Sequence, residues 1–330
     1  MRIRQGLAEL MAVASVVAGV TALPSAASAA EAAEVGPSCV REDLRLPAGP
    51  WQRITVGHAD PSGRFQIAYG EDTSWRGHII RWDNGVPTNL GMPASGPEEI
   101  NEQGDFVGNT SSEDGLYRST AWRYSAGQVT TLPGLPDSVQ TIASAIAADG
   151  TVAGWVRSAD GRPTAVTWAP DNTVRALPGS GESRAIDLDA DGTVIGYLAD
   201  KPVRWAPNAQ PDILPGYAAG PDTFWALTGI SAGVVVGQEY TGSSQLALVW
   251  APGAAPALLA QGAVAHAVNA RGSVAYERIY ENEQWLRQNG VNRALPFGPS
   301  PFSIADITGL TDDDIVYGNH YSTPVRWICA

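Results

Sequence analysis

Cysteine, methionine and lysine are nearly missing from this chain of 330 residues, which holds two, three and one of them, the lysine being Lys201. Two cysteines are too few for a disulfide-dense small scaffold or for a four-cysteine zinc site. No apolar run approaches the ~20 residues of a membrane-spanning helix. Past the first thirty residues there is no helical periodicity, no phosphate-cradling glycine loop and no dinucleotide fingerprint. The four histidines, His58, His78, His266 and His320, show no metal-ligand spacing. Basic residues are outnumbered 21 to 34 by acidic ones, and so acidic a chain repels phosphate backbones and anionic lipid. Neither nucleic acid nor a membrane is expected as a partner.

The first thirty residues have a layout of their own. Arg2 and Arg4 precede an apolar run from Leu10 to Leu23, and Ala27-Ser28-Ala29 follows. That order is a secretory signal. Residues 1–29 are expected to be cleaved, which makes the mature chain slightly more acidic and delivers it to an oxidising, extracellular space. Residues 30–38 read as a short flexible segment and 39–330 as one domain, expected as a monomer.

What fills that domain is a repeat. Tryptophans recur at Trp82, Trp122, Trp168, Trp205, Trp250, Trp285 and Trp327. Before them come "INEQGDFVG", "IAADGTVAG", "LDADGTVIG", "GISAGVVVG", "VNARGSVAY" and "LTDDDIVYG", and after most of them comes Leu-Pro. In residues 144–180, strands are expected at Ser144–Ala147, Thr151–Val156, Thr164–Trp168 and Thr173–Leu177, with Asp149-Gly150 turning the first pair. Four short strands every ~40 residues are the signature of a propeller blade. The expectation is an all-β, seven-bladed β-propeller. A pair of sandwiches is the other all-β reading, but it leaves the period unexplained.

The skeleton A-x-x-[IV]-N-x-x-G-x-[VI]-x-G, followed by a strand ending in Trp and then by Leu, resembles the extracellular HAF repeat family of secreted bacterial proteins. "INEQGDFVG", "TAWRYSAG" and "AVNARGSVA" carry the likeness, which spans about residues 54–330. The His-Ala-Phe triplet itself is missing. The resemblance implies a secreted, propeller-like protein and no particular chemistry.

The last repeat stops after its third strand, whereas the chain from Cys39 begins like a fourth strand, with Leu46-Pro47. The N-terminal strand is therefore expected to complete the last blade. Cys329 lies two residues after Trp327 and Cys39 seven before Leu46. Pro170 holds both offsets in the third unit, so the cysteines map to one turn, and a Cys39–Cys329 disulfide would replace the hairpin that a split blade lacks.

Few motifs point to catalysis. "GISAG" (229–233) matches a nucleophile elbow, yet it is a copy of the strand-turn-strand unit and lacks the helix an elbow needs. "DLDADG" matches the opening of a calcium loop, with Asp187, Asp189 and Asp191 as candidate ligands, although Leu198 stands where the loop needs Glu. An acidic hairpin turn is the competing reading. Glu98 and Glu99, being adjacent, are expected on opposite faces of a strand, which is poor geometry for a glycosidase pair. Trp51, Trp75, Trp155 and Trp225 fall outside the repeating position and are candidates for ligand contact. Counting from the first apolar residue of each unit, an axial ring is expected from Gln52, Glu98, Ser144, Arg184, Trp225, His266 and Ala305. Together these features imply a secreted, non-catalytic binding protein whose propeller face or channel mouth engages a glycan or a protein. The alternative is an extracellular polysaccharide hydrolase or lyase. No cofactor is expected beyond calcium.

Overall fold

The computed structural model describes residues 35–329 apart from 94–95, 112–117, 219, 221 and 297–304. The expected signal segment lies outside the described residues. The chain forms seven four-stranded antiparallel sheets, each used as a propeller blade. Numbered along the chain, blades 1 to 6 run from Trp51, Pro97, Ser138, Ser183, Phe224 and Ala263, and blade 7 from Ala305. The first strand of each blade touches the first strands of both neighbours, and these contacts close into a ring around an axis.

Blade 3 shows the local logic. Its strands are Ser138–Ile146, Val152–Ser158, Pro163–Trp168 and Val174–Ala176, so the first begins six residues earlier than its apolar pattern suggests. Gly150 turns the first hairpin at φ 86°, and Ala147 N bonds Thr151 O at 2.8 Å. In blade 7 the same corner is made by Asp314 at φ 62°, a residue type that tolerates the left-handed region.

Five of the seven recurrent tryptophans share one role. Trp82, Trp168, Trp205, Trp250 and Trp327 are wholly buried. Their indoles donate across the blade boundary to the carbonyls of Arg45, Pro133, Pro178, Pro215 and Pro296, at 2.7–2.8 Å. The Leu-Pro signature is thereby explained. The leucine enters the core, as Leu132, Leu214 and Leu295 do, and the next carbonyl receives the indole of the following blade. Trp122 and Trp285 break the expectation. The register that pairs Val152 with Trp168 pairs Phe106 with Tyr124 and Val274 with Arg287, so both tryptophans sit two residues early.

Neighbouring blades are also clamped by side-chain amides, of which those of Asn319 and Gln238 are buried. The side chain of Asn319 mimics a strand, accepting from Val56 N at 2.7 Å and donating to Val56 O at 2.9 Å. Asn109 treats Ala143 the same way, at 2.9 Å in each direction. Gln238 Nε2 donates to Ala265 O at 2.7 Å.

Blade 7 closes as expected: Val40–Asp43 pairs with Thr323–Ile328, and Cys39 is joined to Cys329 with a Cα–Cα distance of 4.3 Å. One detail differs. Leu44, not Leu46, enters the core, and Arg45 O receives the Trp82 indole, while Leu46 is 43% exposed. Of residues 30–38, the described part lies along blade 6, where Gly36 N bonds Asn292 O at 2.9 Å.

Candidate functional site: the axial pocket

Every first strand carries an irregularity at one structural position. Pairing with the second strand skips Gly57, Glu98, Ser144, Ile186, Thr228, His266 and Thr308. Such a bulge breaks the two-residue alternation and re-aims the side chains around it. The residues that follow, His58, Glu99, Ala145, Asp187, Gly229, Ala267 and Gly309, form a second ring. Four of its members are Ala or Gly; the chemistry sits on blades 1, 2 and 4.

All of these residues but Gly57, Glu98 and Ala145 line a cavity of about 660 Å³ with contributions from all seven blades, at the end where first strands turn into second strands. Glu99 Oε2 accepts from Ile146 N of blade 3 at 3.0 Å, and Asp187 Oδ2 accepts from Ile230 N of blade 5 at 2.8 Å. Two carboxylates thus occupy one structural position and each clasps the following blade. Burial pushes both carboxyls up, Asp187 to about 7, and the nearby Asp187 charge raises Glu99 further above the ordinary range. Burial also drives the His58 imidazole down to about 4. His266 lines the same cavity, its Nε2 lying 3.4 Å from Glu277 Oε2. Arg204 is the one lysine or arginine among the cavity's described lining residues; its Nη2 donates to Gly233 O at 2.9 Å.

The ring expected from sequence is brought together only in part. Glu98, Ser144 and His266 share the bulge position. Ser144 and His266 line the cavity, whereas Glu98 Oε1 accepts from Asn109 Nδ2 at 3.0 Å. Arg184 lies two residues before the bulge, Trp225 and Ala305 three, and Gln52 five, all toward the opposite end of the channel. Arg184 is exposed with its guanidinium 5.5 Å from the Trp155 ring centre, and Trp225 Nε1 donates to the buried Glu239 at 3.3 Å. Trp51 donates to Pro47 O at 2.9 Å, while Trp75 is 70% exposed on a second-to-third-strand loop at that opposite end. Glu99 and His58 were missed as axial residues. The strict alternation assumed from sequence fails at a bulge, which nothing in the residue types marks.

The three candidate calcium ligands do not converge. Asp187 accepts from Leu188 N and Ile230 N, Asp189 from Ala190 N, Ala232 N and Gly233 N, and Asp191 from Thr193 N. Among the described residues, no group of three or more His, Cys, Asp or Glu side chains has the geometry to hold a metal ion. Ser231 of the elbow-like motif ends a strand and enters a turn followed by another strand.

No family model matches the chain, and no curated protein matches it. Solved structures do. A streptogramin B lyase superposes with a TM-score of 0.58 at 13% identity, over 88% of this chain and 97% of that one. A catalytically inactive histidine-to-alanine variant of virginiamycin B lyase from Staphylococcus aureus, with quinupristin, gives 0.59 at 12%, over 89% and 100%. A prolyl endopeptidase gives 0.53 at 11% over 82% of this chain, which spans only 47% of that one. At these identities the likeness is one of fold: the chain is a β-propeller. Among the described residues, no helix is long and apolar enough to cross a membrane.

Proposed function

We propose that this chain is an exported, non-catalytic binding protein that takes a glycan into its axial pocket. The observation that carries the reading is the ring of seven equivalent positions on an otherwise uniform scaffold. Three, Gly229, Ala267 and Gly309, are pared to Ala or Gly against the cavity, which makes room, and three hold His58, Glu99 and Asp187, which supply hydrogen-bonding chemistry. A concave, partly apolar cavity with a few convergent polar groups is what a small-ligand site needs. The Cys39–Cys329 bond and the signal-like N-terminus support export, and the repeat skeleton supports kinship with HAF repeat proteins. The test is a glycan array probed with the oxidised protein and with Ala267→Phe, which fills the pocket from blade 6. A ligand lost in the variant supports the reading; one retained moves the site off the axis.

A second reading, a polysaccharide hydrolase or lyase, is favoured by one observation. Glu99 and Asp187 share a cavity in which burial raises both carboxyls, Asp187 to about 7, which suits acid–base work. Soluble sugar released from polysaccharide, and lost in Glu99→Gln, would favour catalysis over binding.

A further inference from the structure

We infer that the axial pocket is a site for a primary ammonium group carried by an amino sugar, with Glu99 and Asp187 as its counter-ions. This deepens the glycan-binding reading and rests on it.

Charge balance is the first ground. Glu99, Glu102, Asp187, Asp189, Asp191 and Asp312 line the cavity against Arg204 alone. Several of these acids are already engaged by backbone donors. Asp189 takes Ala232 N and Gly233 N, and Asp312 Oδ1 takes Ala270 N at 2.9 Å. Glu99 differs: a single backbone amide, Ile146 N, donates to it, at Oε2. Asp187 is held by two backbone amides and no cationic side chain.

Unmet hydrogen-bonding capacity is the second. Thr308 Oγ1, on blade 7, is a buried atom without a hydrogen-bond partner, and its residue lines this cavity. Buried polar atoms left unpaired cost stability unless a ligand or water meets them. His58, kept neutral by burial, adds an uncharged ring.

Together the wall offers the carboxyls of Glu99 and Asp187, which a bound ammonium would draw to their charged form, the imidazoles of His58 and His266, and the hydroxyls of Ser144 and Thr308. An ammonium brings three N–H donors and one positive charge, and the sugar hydroxyls serve the neutral groups. A divalent cation fits less well, because the acids do not gather in threes. At about 660 Å³ the cavity has the volume of small-ligand pockets, which run from ~300 to 1,000 Å³.

The experiment compares the β-1,4-linked disaccharide of glucosamine with its N,N′-diacetyl form, by calorimetry at pH 7 and low salt. The two share a backbone and differ in charge. The free amine is expected to bind at least tenfold tighter, and Glu99→Gln and Asp187→Asn are each expected to erase that preference. Melting curves of both variants check that the fold is kept. Equal or tighter binding of the acetylated form overturns the ammonium inference and leaves the glycan pocket standing. Loss of both ligands in Ala267→Phe keeps that pocket separately testable. Failure of both disaccharides at millimolar concentration overturns the amino-sugar assignment. A trilysine peptide that binds where the sugars do not would give the ammonium to a peptide and overturn the glycan reading as well.

Discussion

Asp187 reaches out of its own blade to accept the amide of Ile230 at 2.8 Å, and Glu99 repeats the reach two blades earlier, to Ile146 at 3.0 Å. Each carboxyl therefore ties two inner strands together inside the channel. There desolvation disfavours its charged form.

That position predicts an unusual pH profile. Asp187 is raised from 3.8 to about 7 in the folded chain, so between those values the folded state binds more protons than the unfolded one. Stability from this group is full below about 4 and is lost as pH rises through about 7. Glu99, raised as well, acts in the same direction. Thermal melts from pH 4.5 to 8.5 should show a falling melting temperature. Asp187→Asn should flatten the fall, because it keeps an acceptor for Ile230 N and removes the charge. An equally steep profile in the variant would dismiss the assignment.

The amide clamp between blades 7 and 1 predicts a stability loss of a different origin. Asn319→Leu has similar volume but strands both Val56 N and Val56 O in a buried setting. Leaving buried backbone groups unpaired costs ~1–3 kcal/mol each. Denaturant unfolding should show a fall of about 2 kcal/mol or more, whereas Gln128→Leu, exposed on the outer strand of blade 2, should stay within about 0.5 kcal/mol.

How much of this was legible in the residues depends on whether they repeat. Trp168 and its equivalents, the Asp-Gly turns and the Leu-Pro pairs recur, so blade number, strand count and closure by the N-terminal strand could be read directly. The exact register could not. "LRLP" offers two leucines, and only packing selects Leu44. The axial ring was mis-set for a related reason: its position is defined by a bulge at Glu98, Ser144 and His266, and a bulge leaves no residue signature. Glu99 consequently looked like a residue facing away from the axis, although it lines the pocket.

Calcium should have little effect. The carboxylate oxygens of Asp187 and Asp189 are engaged by backbone N–H groups, as is Oδ1 of Asp191, and a cation would have to displace those donors. Millimolar calcium is expected to shift the melting temperature by less than about 1 °C. A rise of several degrees, reversed by chelator, would mean that these turns rearrange to hold a cation.

The Cys39–Cys329 bond closes a span of 290 residues. By the chain-entropy model such a closure stabilises by on the order of 5 kcal/mol, an upper bound. Other contacts nevertheless hold the same segment. Val40–Asp43 pairs with Thr323–Ile328, Glu42 meets Arg326 at 2.7 Å, and Leu44 and Arg45 engage the core and Trp82. Reduction should therefore leave a folded propeller that melts lower, with loss concentrated at its seam. Hydrogen exchange read peptide by peptide would check this. Residues 40–45 and 323–328 should lose protection after reduction, while Val152–Ser158, on the far side of the ring, should keep it. Uniform loss of protection would mean that the disulfide supports the whole ring, not its seam alone.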